Sequence, residues 1–165
     1  MELLDVYDDF GKKTGRVIVR GDKNEKLGEH EHIAVAVIYI ENNKGEFLMQ
    51  KTSIEKGGEF SSTGGHVCHD EEPLESIQRE VFEELGVSVD KDEIKYLGYL
   101  LYDKPIRHMF YLKKDIDIND VIVQKEEVEF AKYLTIDEIN TLIEKEEITK
   151  SHGIIFREII KYIGK

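Results

Sequence analysis

Three carboxylates, Glu80, Glu83 and Glu84, crowd into five residues of chain, and a glycine pair, Gly64–Gly65, precedes them. The whole segment from Gly64 to Val87 reads GGHVCHDEEPLESIQREVFEELGV. Hard oxygen ligands spaced three and four residues apart are what Mg²⁺ or Mn²⁺ takes. Left to themselves these acids are unfavourable. Like charges at i, i+4, as in Glu80 and Glu84, cost about 0.2–0.5 kcal/mol, and an anion in the last turn of a helix costs about 0.3–1 kcal/mol. A face tuned only for solubility would interleave lysines, yet only Arg79 lies beside these acids. A glycine pair ahead of a helix lets backbone approach a ligand closely and offers a carbonyl to a metal. Taken singly, each feature has an ordinary alternative, a solvated acidic face and a plain turn. Together they favour a metal–diphosphate site.

These acids act together only if a helix puts them on one face. Pro73 suits a first turn and Gly86 the position just past an end, which predicts a helix from Pro73 to Leu85. At about 100° per residue, Leu74, Ile77, Val81 and Leu85 fall within a wedge of roughly 60°. Glu83, Glu80 and Glu84 then lie at about 180°, 240° and 280° from Leu74. IAVAVIYI at 33–40 is continuous and β-branched, the pattern of a strand buried on both faces. EFLMQK at 46–51 is expected to pair back on it as a hairpin after Asn42, Asn43 and Gly45, with a loop from Thr52 to Ser62. Short strands are expected at 2–6 and 16–20, around DDFGKKTG. Further strands are expected at 93–103, 105–114 and 126–133. Two helices close the chain, Ile136 to about Glu146 capped by Thr135, and His152 to about Ile163. That order predicts mixed α/β or α+β layers rather than a parallel βαβ series.

The chain has 165 residues, which suits a single domain over 1–165. Acids outnumber bases 35 to 23 for a net charge of −12. A field of that sign disfavours nucleic-acid binding and requires metal ions or a local basic pocket for any anionic ligand. The single cysteine, Cys68, cannot form an internal disulfide, which fits a reducing, cytoplasmic setting. The longest apolar run, Ile33 to Ile40, is far short of the ~20 residues that span a bilayer, so no membrane association is expected.

The spacing of the glycine–carboxylate segment resembles a known family. Gly65, five residues, Glu71, seven residues, Arg79-Glu80-Val81, one residue, Glu83-Glu84, one residue, Gly86-Val87 matches every fixed position of the Nudix box. The FLMQK hairpin before it and EVEFAKYLTIDEI after it are also similar to the family, over about residues 33–146. The resemblance implies an α/β/α sandwich around a mixed β-sheet, and hydrolysis of a nucleoside diphosphate linked to another group, X. It implies Mg²⁺ or Mn²⁺ on Glu80, Glu83, Glu84 and the carbonyl of Gly65, with Arg79 orienting the carboxylates and Glu71 supporting the loop–helix fold. Val81 and Val87 would be core. Such ions would bridge diphosphate oxygens and activate a water. A general base is also needed, and Glu83 and Glu127 are the candidates. Relatives that dimerise make a homodimer one expected assembly.

His32 and His66 sit where the sequence looks like isopentenyl diphosphate isomerase, a Nudix relative with metal-binding histidines, and LDVYDDFGKKTGRV is similar to proteins of that group. The isomerase's catalytic cysteine would fall at Gly64, however, and the box here is whole, so hydrolysis comes first. Lys51 and Arg107, with Arg20, are the cations best placed for a phosphate. His32, His66, Lys51 and Arg107 are therefore the candidate substrate contacts. The alternatives to a hydrolase are a non-catalytic Nudix nucleotide-binding sensor module and an isomerase-like enzyme.

Overall fold

The computed structural model describes residues 2–165. The chain runs through β1 (Leu3–Tyr7), β2 (Lys13–Val19), β3 (Ala34–Glu41), β4 (Phe47–Thr52), β5 (Phe60–Ser61) and β6 (Thr63–His66) to α1 (Pro73–Leu85). It continues through β7 (Lys95–Leu101), β8 (Ile106–Lys113) and β9 (Val128–Leu134), and ends with α2 (Ile136–Glu144) and α3 (Lys150–Ile163). β1 and β2 form a separate antiparallel hairpin, while the other strands make one mixed sheet of seven. Glu126 and Glu127 do not begin β9, as the sequence suggested. They lie in the turn before it, closed by hydrogen bonds from the Glu127 and Val128 N–H groups to the Gln124 carbonyl.

β3 is the spine, and all eight of its residues are buried. It runs parallel to β8 along its whole length. Period-two alternation splits its side chains between two cores. Ala34, Ala36, Ile38 and Ile40 meet Ile77, Val81 and Leu85 of α1. Val37 and Tyr39 meet Ile139 of α2 and Ile155, Phe156 and Ile159 of α3. Each fully buried aliphatic side chain of α1 contributes about 1.5–3 kcal/mol, which fixes the rotation of the helix and turns Glu80 and Glu84 toward β4 and β6. The result is the expected α/β/α layering.

The hairpin expected between β3 and β4 exists only at its turn. The two strands pair at Glu41–Phe47 and then diverge. The segment 60–66 fills the opening. Its first half, β5, pairs with Gln50 and Lys51 of β4, and its second half, β6, pairs with Val35 to Ile38 of β3. The chain crosses from one strand to the other at Ser62. This wedge, expected only as the end of a loop, carries Gly64 and Gly65 into the sheet beneath α1.

Candidate functional site

α1 is held at both ends by its own sequence. Glu72 and Glu75 form a reciprocal capping box ahead of it, with Pro73 in the first turn. Gly86 closes it with φ 68°, its N–H donating to the Phe82 carbonyl, and a Cβ there would meet the Ile122 Cβ at 3.0 Å. Between these ends the helix presents Glu80 and Glu84 to β6 and β4. A Cβ added to Gly65 would stand 2.2 Å from Glu80 Oε1 and 2.4 Å from its Cδ, and one on Gly64 would stand 2.6 Å from the Ala36 carbonyl oxygen. Glycine is required at both positions by close approach. At Gly65 the space of a side chain is filled by a carboxylate.

Glu84 lies in the gap between β4 and β6. Gln50 Nε2 donates to its Oε1 at 2.8 Å, and the Gly64 N–H donates to its Oε2 at 3.3 Å. Burial, together with the negative charge of Glu80, pushes Glu84 up to about 9. Glu80 is also raised, chiefly by burial. Two acids driven to hold a proton beside a glycine backbone are a donor set matched to a divalent cation, which replaces that proton with two positive charges. The chemistry of the donors therefore fits the expected metal. Glu83 stands apart, 46% exposed at the helix end.

Arg79 organises the acids from outside the gap. Its Nε and Nη2 hold Glu71 in a fork at 2.7 and 3.0 Å, while Nη1 donates to Glu80 Oε1 at 2.9 Å and to Glu83 Oε2 at 3.0 Å. The Glu71 hydrogen bond and the surrounding acids raise the guanidinium further, so it stays charged throughout. Nη2 also reaches the His66 carbonyl at 3.2 Å, and Glu71 accepts the Cys68 N–H at 3.0 Å. Arg79 and Glu71 thus lock the loop onto the helix. Gln50 is the residue that the sequence reading missed. It is 1% exposed, and its amide joins Thr63 Oγ1 at 2.9 Å to Glu84, tying β4, β6 and α1 together.

The other candidates scatter. His32 is buried far from the acids, with Nε2 on Asp9 Oδ1 at 2.7 Å and Nδ1 on the Lys104 carbonyl at 3.0 Å. Both ring nitrogens are used to fasten the β1–β2 hairpin to the β7–β8 turn, which corrects its reading as a substrate contact. Lys51 alternates with Gln50, so it points to the opposite face and sits 5.9 Å from the Phe60 ring centroid. Glu127 is exposed, its carbonyl accepting the Ser53 N–H. Glu129 is skipped where the pairing of β9 with β4 shifts register, and it is exposed. His66 and Arg107 flank Val35 from β6 and β8. A second acidic group, Asp5, His69 and Asp70, brings potential ligand atoms within 4.8 Å of one another. Asp5 there is already committed to His69 Nδ1, the Asp70 N–H and Lys13.

Among the described residues no helix is long and apolar enough to cross a membrane. The profile of the NUDIX domain matches residues 30–158. An uncharacterized Nudix hydrolase, lmo0368, of Listeria monocytogenes is 30% identical over 146 residues, covering 86% of this chain and 85% of the relative. Isopentenyl-diphosphate Delta-isomerase of Corynebacterium diphtheriae is 32% identical over 97 residues, 55% of this chain and 50% of the isomerase. The crystal structure of DR0079 from Deinococcus radiodurans superposes with a TM-score of 0.77 at 20% identity, over 94% of this chain and 98% of that one, a likeness of fold. With the box intact from Gly65 to Val87 and the profile spanning most of its length, this chain belongs to the NUDIX domain family.

Proposed function

We propose that this protein hydrolyses a diphosphate bond in a small molecule, a nucleoside diphosphate linked to X, using Mg²⁺ or Mn²⁺. The observation that carries this reading is the desolvated Glu80–Glu84 pair, Glu80 pressed against Gly65 and Glu84 against the Gly64 N–H. Glu80, Glu84 and the Gly65 carbonyl would hold the cation, with Glu83 at the solvent edge. A bound divalent cation supplies charge neutralisation for the diphosphate and an acidified water. The chain's own residues do the rest. Gln50 and the Gly64 N–H orient Glu84, while Arg79 orients Glu80 and Glu83. Glu83 is the better placed of the two expected bases, because it is exposed yet tied to the cluster through Arg79, whereas Glu127 sits in a turn. A net charge of −12 supports a small anion steered by metal over a nucleic acid.

The test is release of mononucleotide or phosphate from a panel of nucleotide sugars, dinucleotides and nucleoside triphosphates, with and without Mg²⁺. Mg²⁺-dependent release from at least one member, lost in Glu84→Gln with folding intact, supports the reading. Binding without release from any member would move the protein to the sensor class. Conversion of isopentenyl diphosphate would move it to the isomerases, although Gly64 stands where that enzyme's cysteine is expected and Cys68 is held up to about 11 by burial.

A further inference from the structure

Arg107 is a cation that the acidic chain leaves without a salt bridge among the described residues. In β8 it lies opposite Val35, which lies opposite His66 on its other side, so Arg107 and His66 share one face of the sheet. Val37 and Met109, two positions on, pack in the core beneath α3, which makes this the face opposite α1. The guanidinium is half-buried, its carbon 5.5 Å from the Tyr102 ring centroid, with Nε donating to the Tyr102 carbonyl at 3.3 Å. Burial lowers it, and Asp103 acts on it only through space. A half-buried charge with no counter-ion is unfavourable until an anion arrives.

Two imidazoles lie within range of its charge. At the start of α3, the Ser62 N–H donates to His152 Nδ1 at 3.1 Å, so that nitrogen is the acceptor and the ring proton stands on Nε2. Burial, with the Arg107 charge adding to it, holds His152 down to about 4, which leaves a neutral donor. The same Arg107 charge reaches His66. The guanidinium on β8 thus shares its neighbourhood with one imidazole from β6 and one from α3.

We infer that Arg107, with His152 Nε2–H and the His66 ring, forms an anion subsite that takes a phosphate of the substrate beyond the diphosphate at Gly65, Glu80 and Glu84. This rests on the hydrolase reading and narrows it. β6 and β8 are two strand spacings apart, roughly 9.6 Å, which is wider than one phosphate group. A guanidinium binds phosphate through paired N–H groups, and a chain of net charge −12 needs such a local site to hold an anion away from the metals. The favoured substrate class is then polyphosphorylated compounds, such as nucleoside triphosphates, over diphosphates capped by a neutral sugar.

The experiment is calorimetric titration of the full chain with inorganic tripolyphosphate in EDTA, for wild type, Arg107→Met and Arg107→Lys. Arg107→Met binds at least about tenfold more weakly than wild type, and Arg107→Lys recovers part of the loss. Equal binding by wild type and Arg107→Met, or none by wild type, overturns the subsite. Because no turnover is read, failure of the hydrolase reading leaves this result standing. The kinetic counterpart is a split: Arg107→Met lowers kcat/KM for a nucleoside triphosphate and spares a nucleotide sugar. Equal losses on both overturn the assignment.

Discussion

Glu84→Gln is expected to make the metal-free protein more stable, even though it destroys the site. Glu84 is pushed up to about 9 from an ordinary 4.5, so its stabilising contribution is fully present below pH 4.5 and is lost as pH rises toward 9. At pH 7 the gap to the ordinary value, at about 1.36 kcal/mol per pH unit, sets a cost of about 3 kcal/mol. Partial contact with solvent makes this an upper bound. Glutamine has the same shape, keeps an oxygen for Gln50 and never ionises. For a chain of this size, about 3 kcal/mol corresponds to roughly 6–12 °C in Tm. The assay is thermal unfolding from pH 5 to pH 9 in EDTA and again in Mg²⁺ or Mn²⁺. In EDTA the variant gains on wild type as pH rises. With metal the wild type recovers, most strongly at high pH, and the variant does not respond. Parallel curves at every pH, or equal metal shifts in both proteins, would refute the argument.

Gly65→Ala places a methyl within the Glu80 carboxylate and must displace it, so Mg²⁺-dependent turnover should fall about 10²-fold with the secondary structure unchanged. Steady-state kinetics with circular dichroism checks this. Gln50→Leu removes the amide that orients Glu84 and should weaken Mn²⁺ binding about 10–100-fold, read by calorimetry. Glu83→Gln should lower kcat by about 10²–10⁴-fold while Glu127→Gln leaves it unchanged, a comparison that separates the two candidate bases. The reverse order would transfer the role to Glu127.

The parts legible in the sequence were those governed by local periodicity. Leu74, Ile77, Val81 and Leu85 announced α1 and its rotation, Pro73 and Gly86 fixed its ends, and the unbroken apolar run of β3 marked the doubly covered strand. The residues that were not legible depend on how strands diverge. β5 is two residues long and β6 contains two glycines, so neither carries an alternating pattern, yet together they open the gap that Glu84 occupies. Gln50 reads as an ordinary strand residue until that gap brings its amide to Glu84. Lys51 stands out in the sequence by its charge and His32 by its likeness to the isomerase's histidines. Strand alternation puts the first on the face opposite Gln50, and Asp9 together with the Lys104 carbonyl occupies both ring nitrogens of the second. Arg107 and His66 share a face only because both pair with Val35, and β8 is far from β3 in sequence.

Anomalous diffraction from crystals soaked in Mn²⁺ would test the central claim most directly. The account predicts a peak between the Gly65 carbonyl, Glu80 and Glu84, absent from Glu84→Gln crystals. A peak only among Asp5, His69 and Asp70, or none beside Glu80 and Glu84, would contradict it.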